Sequence, residues 1–391
     1  MFVLYLIVFV GLTGVGIIIP LFPFFGEQVG ATPAQITMLM ALFAAGQFVA
    51  SPFWGWLSDR IGRRPVFIFT LAGGAASYVI LGMAETVPAL YLARVFGGLM
   101  AGNVPVAFAA AADMSGGEDR SKVMGRIGAS FSLGFILGPA IGGFLAGSDP
   151  QETNFLLIAM AAGGMSLLAL LLSILVFKES HPPSKRNSRP LDFGSSAIRR
   201  SFRFFGMPVI GALIVMNFIF IAAGSIIDST FALYANKAHD LGPNAIGYLF
   251  TYMGVIMAGV QGGAIGPLTS RFGDIFVAQA GVALYLVGVA LLIPASTFFG
   301  LLFALTFLTT GVSLFVPSTS SLVSQNAPDS EQGAALGVFQ AAGNLGRVVT
   351  PMFSGVIFSA YGVTAPFYIA ILFLLPALWL AQKTRSGIRT T

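Results

Sequence analysis

Arg94, Asp228 and Arg347 stand inside long apolar runs of a 391-residue chain in which only 9% of residues are charged. An ionisable group in such a run costs several kcal/mol unless it is paired or hydrated, so each marks a functional site by default. Asp228 is the one carboxylate well inside a run. A carboxylate that alternates between wet and occluded surroundings takes up and releases a proton, which makes Asp228 the candidate proton site. Gln340, Asn344 and Arg347 recur at i, i+4 and i+7 and so share one helical face, expected to line a cavity. The amides of Gln47, Asn103, Asn217 and Gln261 are further cavity candidates, although interhelical hydrogen bonding is their commoner role in membranes. Most of the 37 phenylalanines are expected to face lipid or to pack, with Phe24 and Phe231 singled out among them, and a pocket rich in aromatics would suit bulky amphipathic ligands.

The elements that hold these residues are membrane spans. The chain is 56% hydrophobic, with a mean hydropathy of +0.87, whereas a soluble domain needs roughly a quarter of its residues charged. With about 20 apolar residues per crossing, twelve spans are predicted: 2–25, 34–57, 65–84, 88–113, 122–147, 154–177, 207–235, 244–268, 275–295, 298–323, 333–359 and 364–382. The fold class is therefore an all-α integral membrane protein. The first run is of spanning length, so no cleavable signal peptide is expected. No polar segment precedes it, as in a chain whose natural start has been trimmed. Without cysteine, no disulfide or thiolate site is possible. His181 and His239 are expected to be solvated and without function, and neither a metal site nor a cofactor is expected.

The polar stretch at 178–206 divides the spans six and six. The expected domains are an N-terminal bundle (1–177), a cytoplasmic linker (178–206) and a C-terminal bundle (207–391). With both termini in the cytoplasm, 17 of the 20 Lys and Arg residues fall on the inner side, the asymmetry that sets orientation. The basic excess is thus topological, and no aromatic-interleaved basic patch points to nucleic acid. The halves also repeat. GWLSDRIGRR (55–64) faces GPLTSRFGDI (266–275), and GRIGASFSLGFILGPAIGG (125–143) faces GVFQAAGNLGRVVTPMFSG (337–355). Two such bundles, related by a pseudo-two-fold axis along the membrane normal, place a substrate site between them in one large class of secondary transporters.

At this point the motifs carry a family resemblance. GWLSDRIGRRP (55–65), LYLARVFGG (90–98) and GFILGPAIGG (134–143) resemble the loop, fourth-span and fifth-span signatures of the major facilitator superfamily, in order along the whole chain. The nearest look is to drug/proton antiporters of the tetracycline-exporter type. The resemblance implies that Gly55, Asp59, Arg60, Gly62, Arg63 and Arg64, with Asp113, form a latch that closes the inner side. Gly55 and Gly62 are expected to permit the tight reversal there. It implies that Arg94 takes part in proton coupling and pocket electrostatics. It also makes Gly134, Gly138, Pro139, Gly142 and Gly143 an antiporter motif, with the small residues admitting another backbone and Pro139 kinking the helix.

The chain departs from those exporters at spans 1 and 3, where they carry carboxylates and it has Gly11, Thr13 and Ser77; proton coupling then falls to Asp228 or Asp113. The expected function is proton-coupled export of amphipathic small molecules by a functional monomer in the bacterial inner membrane. The alternative, favoured by two in-span arginines against one carboxylate, is a carrier for anionic metabolites or lipid-like organic acids, not necessarily proton-driven. An enzyme is not expected, because the sequence holds no metal cluster, nucleophile–base pair or phosphate loop.

Overall fold

The structure is a computed structural model that describes residues 1–115, 120–150, 152–186, 202–328 and 331–388. The greater part of the expected linker, 187–201, lies outside the described residues. In an apolar solvent each backbone N–H and C=O must find its partner within the segment, and the described residues are accordingly helical, with no strand among them. Polar side chains close several helix starts. Thr32 and Gln35 form a capping box, and Thr86, Asn154 and Thr297 each accept from the backbone three residues on.

Among the described residues, eleven helices are long and apolar enough to cross a bilayer: α1 (Phe2–Gln28), α2 (Pro33–Ile61), α3 (Arg63–Gly82), α4 (Val87–Met114), α5 (Val123–Ala146), α6 (Phe155–Leu175), α7 (Pro208–His239), α8 (Pro243–Phe272), α9 (Asp274–Leu292), α10 (Phe298–Asn326) and α12 (Ala365–Thr384). Between the last two, α11 consists of Gln332–Val349 and Pro351–Tyr361, broken at Thr350. It falls short of the others because proline interrupts it and because Gln332, Gln340, Asn344 and Arg347 lower its apolarity. Three other segments are irregular inside. A 3₁₀ turn at Ile19–Leu21 interrupts α1, the chain leaves helical geometry between Leu99 and Asn103 in α4, and a π-helical turn spans Val260–Ala264 in α8.

The chain forms two units, Met1–Leu191 with Asp240–Gly254, and Asp192–His239 with Val255–Thr391. In the first, α1 packs on α5 and α6, α3 on α6, and α2 on α4. The first half of α8 belongs here as well. Asn244 N–H donates to the Gly147 carbonyl at 3.0 Å, and Gly247 and Gly254 lie so close to α5 that a Cβ on either would come within 2.8 Å of it. In the second unit, α7 packs on α11 and α12, and α9 on α10 and α12. The sequence repeat is thus in part a repeat of packing partners: α1 on α5 and α6 recurs as α7 on α11 and α12, and α3 on α6 as α9 on α12, whereas α10 packs on α9 where α4 packs on α2.

It extends to single backbone angles. Gly62 alone joins α2 to α3 with φ +107° and ψ 163°, and Gly273 alone joins α8 to α9 with φ +81° and ψ 153°. Both φ values belong to the region that favours glycine. Gly55, expected to share this turn, lies inside α2 with open space beside its Cα; the reversal needs one residue, so the helix runs on to Ile61. Large apolar side chains such as Phe144, Leu175 and Phe299 are more than three-quarters exposed, as lipid-facing helix surfaces require.

Candidate functional site

Three groups of polar side chains stand out, two in the first unit and one in the second. The first is at the α2–α3 turn. Arg63 is buried, and its guanidinium donates to Asp113 at 2.8 Å, to Ser58 at 2.6 Å and to Asp59. It therefore ties the start of α3 to the ends of both α2 and α4. Glu179, just past α6, accepts from the backbone N–H of Arg63 at 2.8 Å and of Arg64 at 3.1 Å. A carboxylate at the start of α3 satisfies orphan donors and faces the positive end of the helix dipole. A Cβ on Gly62 would collide with that carboxylate, a second reason for glycine there. Arg64 reaches the carbonyls of Ser173 and Ile174 at the end of α6, and Arg60 lies over the Trp56 ring.

His181, expected to be solvated, is not. Its side chain is 12% exposed, and its Nδ1 stands 3.6 Å from Asp113. It is enclosed because the bond from its backbone N–H to Glu179, at 2.9 Å, folds the post-α6 segment onto the turn. His239 is half-buried, with Nε2 3.1 Å from the Tyr234 hydroxyl.

The second group surrounds Arg94 in α4. The side chain is 8% exposed, and its guanidinium carbon lies 4.3 Å from the Phe22 ring centre and 4.1 Å from that of Phe43. Two aromatic rings thus lie against the guanidinium, an attractive arrangement for a cation. Nε donates to the Leu39 carbonyl at 3.4 Å. Tyr78 is near enough to interact with its charge. The motif LYLARVFGG explains the placement of Phe43: a Cβ on Gly98 would strike the Phe43 carbonyl, and one on Gly97 would lie 3.7 Å from the Phe43 ring. Two glycines one turn beyond Arg94 therefore let α2 approach closely enough for Phe43 to lie over the arginine.

The third group lies on α7 and α11. Asp228 is exposed within a run whose neighbours Ser225, Ile226, Ile227, Ser229 and Thr230 are all buried. It has no hydrogen bond and no ion pair among the described residues, although the field of Arg347 reaches it. The helices run side by side: Asn217 Nδ2 donates to Phe339 O at 2.8 Å, Thr350 Oγ1 to Ala222 O at 3.0 Å, and Ser229 and Ser354 share a 2.9 Å bond. Asp228 is thus level with Ser354, and Arg347 is seven residues earlier, about 10 Å along the axis at 1.5 Å per residue. That offset keeps the two charges apart. Tyr285 of α9 is buried, with its hydroxyl 3.3 Å from where a Cβ on Gly224 would stand, one turn before Asp228.

The other sequence-predicted residues divide. On α11, Gln340 and Arg347 are exposed and Asn344 half-buried, while Phe339, Gly343 and Gly346 are buried. Asn217, Phe24 and Phe231 are packed inside their bundles, 4%, 2% and 2% exposed. Gln47, Asn103 and Gln261 are half-buried, Gln261 in the π-helical turn. The stripe Gly134, Gly138, Gly142 faces α1: a Cβ on Gly138 would come within 2.6 Å of Gly16 Cα, and one on Gly134 within 2.9 Å of Leu12. Gly143 faces Asn244 and Gly247, and the helix continues through Pro139. No group of three or more acidic, His or Cys side chains with metal-binding spacing occurs among the described residues. Sequence reasoning missed Glu179, Phe43 and Tyr285. Their one advance signal was type: a carboxylate after an apolar run, and aromatics on spans next to the motifs.

Comparison with known proteins places this geometry. The chain matches the Major Facilitator Superfamily over residues 4–273 and 213–388. It is 29% identical to the tetracycline resistance protein, class C, of Escherichia coli over 355 residues, 90% of this chain and 87% of that one. It is 28% identical to multidrug resistance protein 2 of Bacillus subtilis (strain 168) over 380 residues, covering 96% and 92%. Among solved structures, the human organic anion transporter MFSD10 (TETRAN) superposes with a TM-score of 0.73 at 22% identity, covering 97% of this chain and 98% of that one, a likeness of fold.

Proposed function

The chain belongs to the major facilitator superfamily, and from that premise we propose that it is an exporter of amphipathic small organic molecules, driven by protons moving the other way. It is a multi-pass membrane transporter and not an enzyme. The observation that carries the proton reading is Asp228, a carboxylate well inside a span, open to its surroundings and bonded to nothing among the described residues. A group in that position exchanges protons without first breaking an ion pair. Export is supported by the relatives, two of which are named for drug resistance. In this reading both termini are cytoplasmic, the protein lies in a bacterial inner membrane, and it works as a monomer. Gln340, Asn344 and Arg347 serve the substrate path, Arg94 and Asp113 support coupling, and the Arg63 network latches the inner side.

The test is transport in proteoliposomes under an imposed pH gradient, with lipophilic cations, zwitterions and organic anions as trial substrates. Wild-type protein is expected to couple substrate efflux to proton flux, and Asp228→Asn to lose coupling while still binding substrate. Retained coupling in Asp228→Asn would refute the assignment. The second reading, a carrier of organic anions, is favoured by the two in-span arginines; transport of an anion indifferent to the gradient would select it.

A further inference from the structure

We propose that Arg94, which packs against Phe22 and Phe43, is the seat for a carboxylate of the transported molecule. The inference rests on the reading of this chain as a carrier of amphipathic organic molecules, and is independent of how transport is driven. A guanidinium in a span is an expensive group, and among the described residues Arg94 has no acidic partner to neutralise it. The rings of Phe22 and Phe43 lie against it, at 4.3 and 4.1 Å. One edge is taken as well, by the bond from Nε to the Leu39 carbonyl.

What is left is the pair of terminal nitrogens. Neither has a hydrogen-bond partner among the described residues, and neither is among the fully enclosed polar atoms that lack one. Two parallel N–H groups in the guanidinium plane match a carboxylate bidentately. The rings shape the same site for an aromatic or aliphatic body beside the carboxylate. The class of ligand is therefore an amphipathic organic acid or zwitterion whose carboxylate is planar and unhindered. A simple cation is repelled by the same charge.

The glycines support a positioning role for the aromatic clamp. Gly97 and Gly98 bring α2 against α4 where Phe43 must lie over Arg94. An arginine held only as a structural anchor needs its carbonyl bond, and has no need of a fork whose terminal nitrogens are left without partners.

The experiment measures equilibrium binding to purified full-length protein in nanodiscs by calorimetry at pH 7.5, without a proton gradient. The probes are 2-naphthoate, 4-phenylbutyrate and norfloxacin, each against its own carboxamide. The acids are expected to bind tenfold to hundredfold tighter than the amides, the range of a hydrogen bond to a charged group. Arg94→Gln is expected to remove that preference while amide binding stays. Arg94→Lys keeps the charge but not the fork and is expected to retain only a small part of it. Phe43→Leu, a variant that keeps the arginine, is expected to lower the acid-to-amide ratio several-fold, so the proposal stays testable should Arg94→Gln not fold. Equal binding of acids and amides by the wild type, no binding of either, or a preference that survives Arg94→Gln would each overturn it. Because no gradient is present, loss of proton coupling and loss of this seat are read separately.

Discussion

Glu179 shows how much one side chain can organise without appearing in any motif. Its carboxylate accepts three backbone N–H bonds, from Arg63, Arg64 and His181, and so fixes both the start of α3 and the fold of the segment after α6. Replacing it with glutamine keeps the size but removes the charge that the helix start favours. Glu179→Gln is expected to lower thermal stability by about 1 kcal/mol, the usual scale of a lost helix cap, measured as a fall in unfolding temperature of the detergent-purified protein; an unchanged temperature would contradict the role. The reason the sequence hid this residue is distance along the chain: 116 positions separate Glu179 from Arg63. Arg94 and Asp228, by contrast, were legible at once, because a charge inside an apolar run is conspicuous whatever surrounds it. The partners of Arg94 were not, since the approach of Phe43 depends on α2 and α4 touching through glycines.

At the scale of helices, the spans were legible because twenty apolar residues leave few alternatives to a crossing helix. Their internal breaks were less so. Pro20 and Pro351 coincide with interruptions in α1 and α11, whereas Pro52, Pro139, Pro317 and Pro376 lie inside unbroken helices. Proline removes one hydrogen bond, and whether the helix gives way depends on neighbours the local sequence does not contain. The glycine stripe of α5 was read from spacing alone, and the structure supplies what it faces, the Gly16 turn of α1. Gly138→Leu is expected to force those two backbones apart, cutting the yield of folded protein and abolishing transport. Gly125→Leu, at a position with open space around it, is expected to leave the yield unchanged. Size-exclusion chromatography of the two variants decides the point, and equal behaviour would mean that α1 and α5 need no close contact.

For the molecule as a whole, the duplicated halves keep their backbone and exchange their chemistry. Arg63 at the start of α3 bonds to Asp113 at the end of α4. At the matching places in the second unit, Asp274 at the start of α9 accepts from Ser321 at 2.9 Å and Gln325 at 2.8 Å near the end of α10. One tie is a salt bridge, the other a carboxylate with neutral donors, and only the first includes a partner from its preceding helix, Asp59. If the latch belongs to that first tie, Asp59→Asn is expected to lower the transport rate several-fold while insertion and yield stay normal, read from proteoliposome efflux at equal protein. Wild-type rates in that variant would place the latch elsewhere.

The single-residue joints at Gly62 and Gly273 have a mechanical consequence. A connection of one residue has no slack, so α2 with α3, and α8 with α9, turn their ends together like the arms of a bracket. The compliance a moving carrier requires must then lie within the rods themselves. The places that offer it are those where hydrogen-bond geometry already departs from the regular helix: Ile19–Leu21, the stretch between Leu99 and Asn103, the wide turn Val260–Ala264, and Thr350. Bending is therefore expected to fall to the helices rather than to the joints between them.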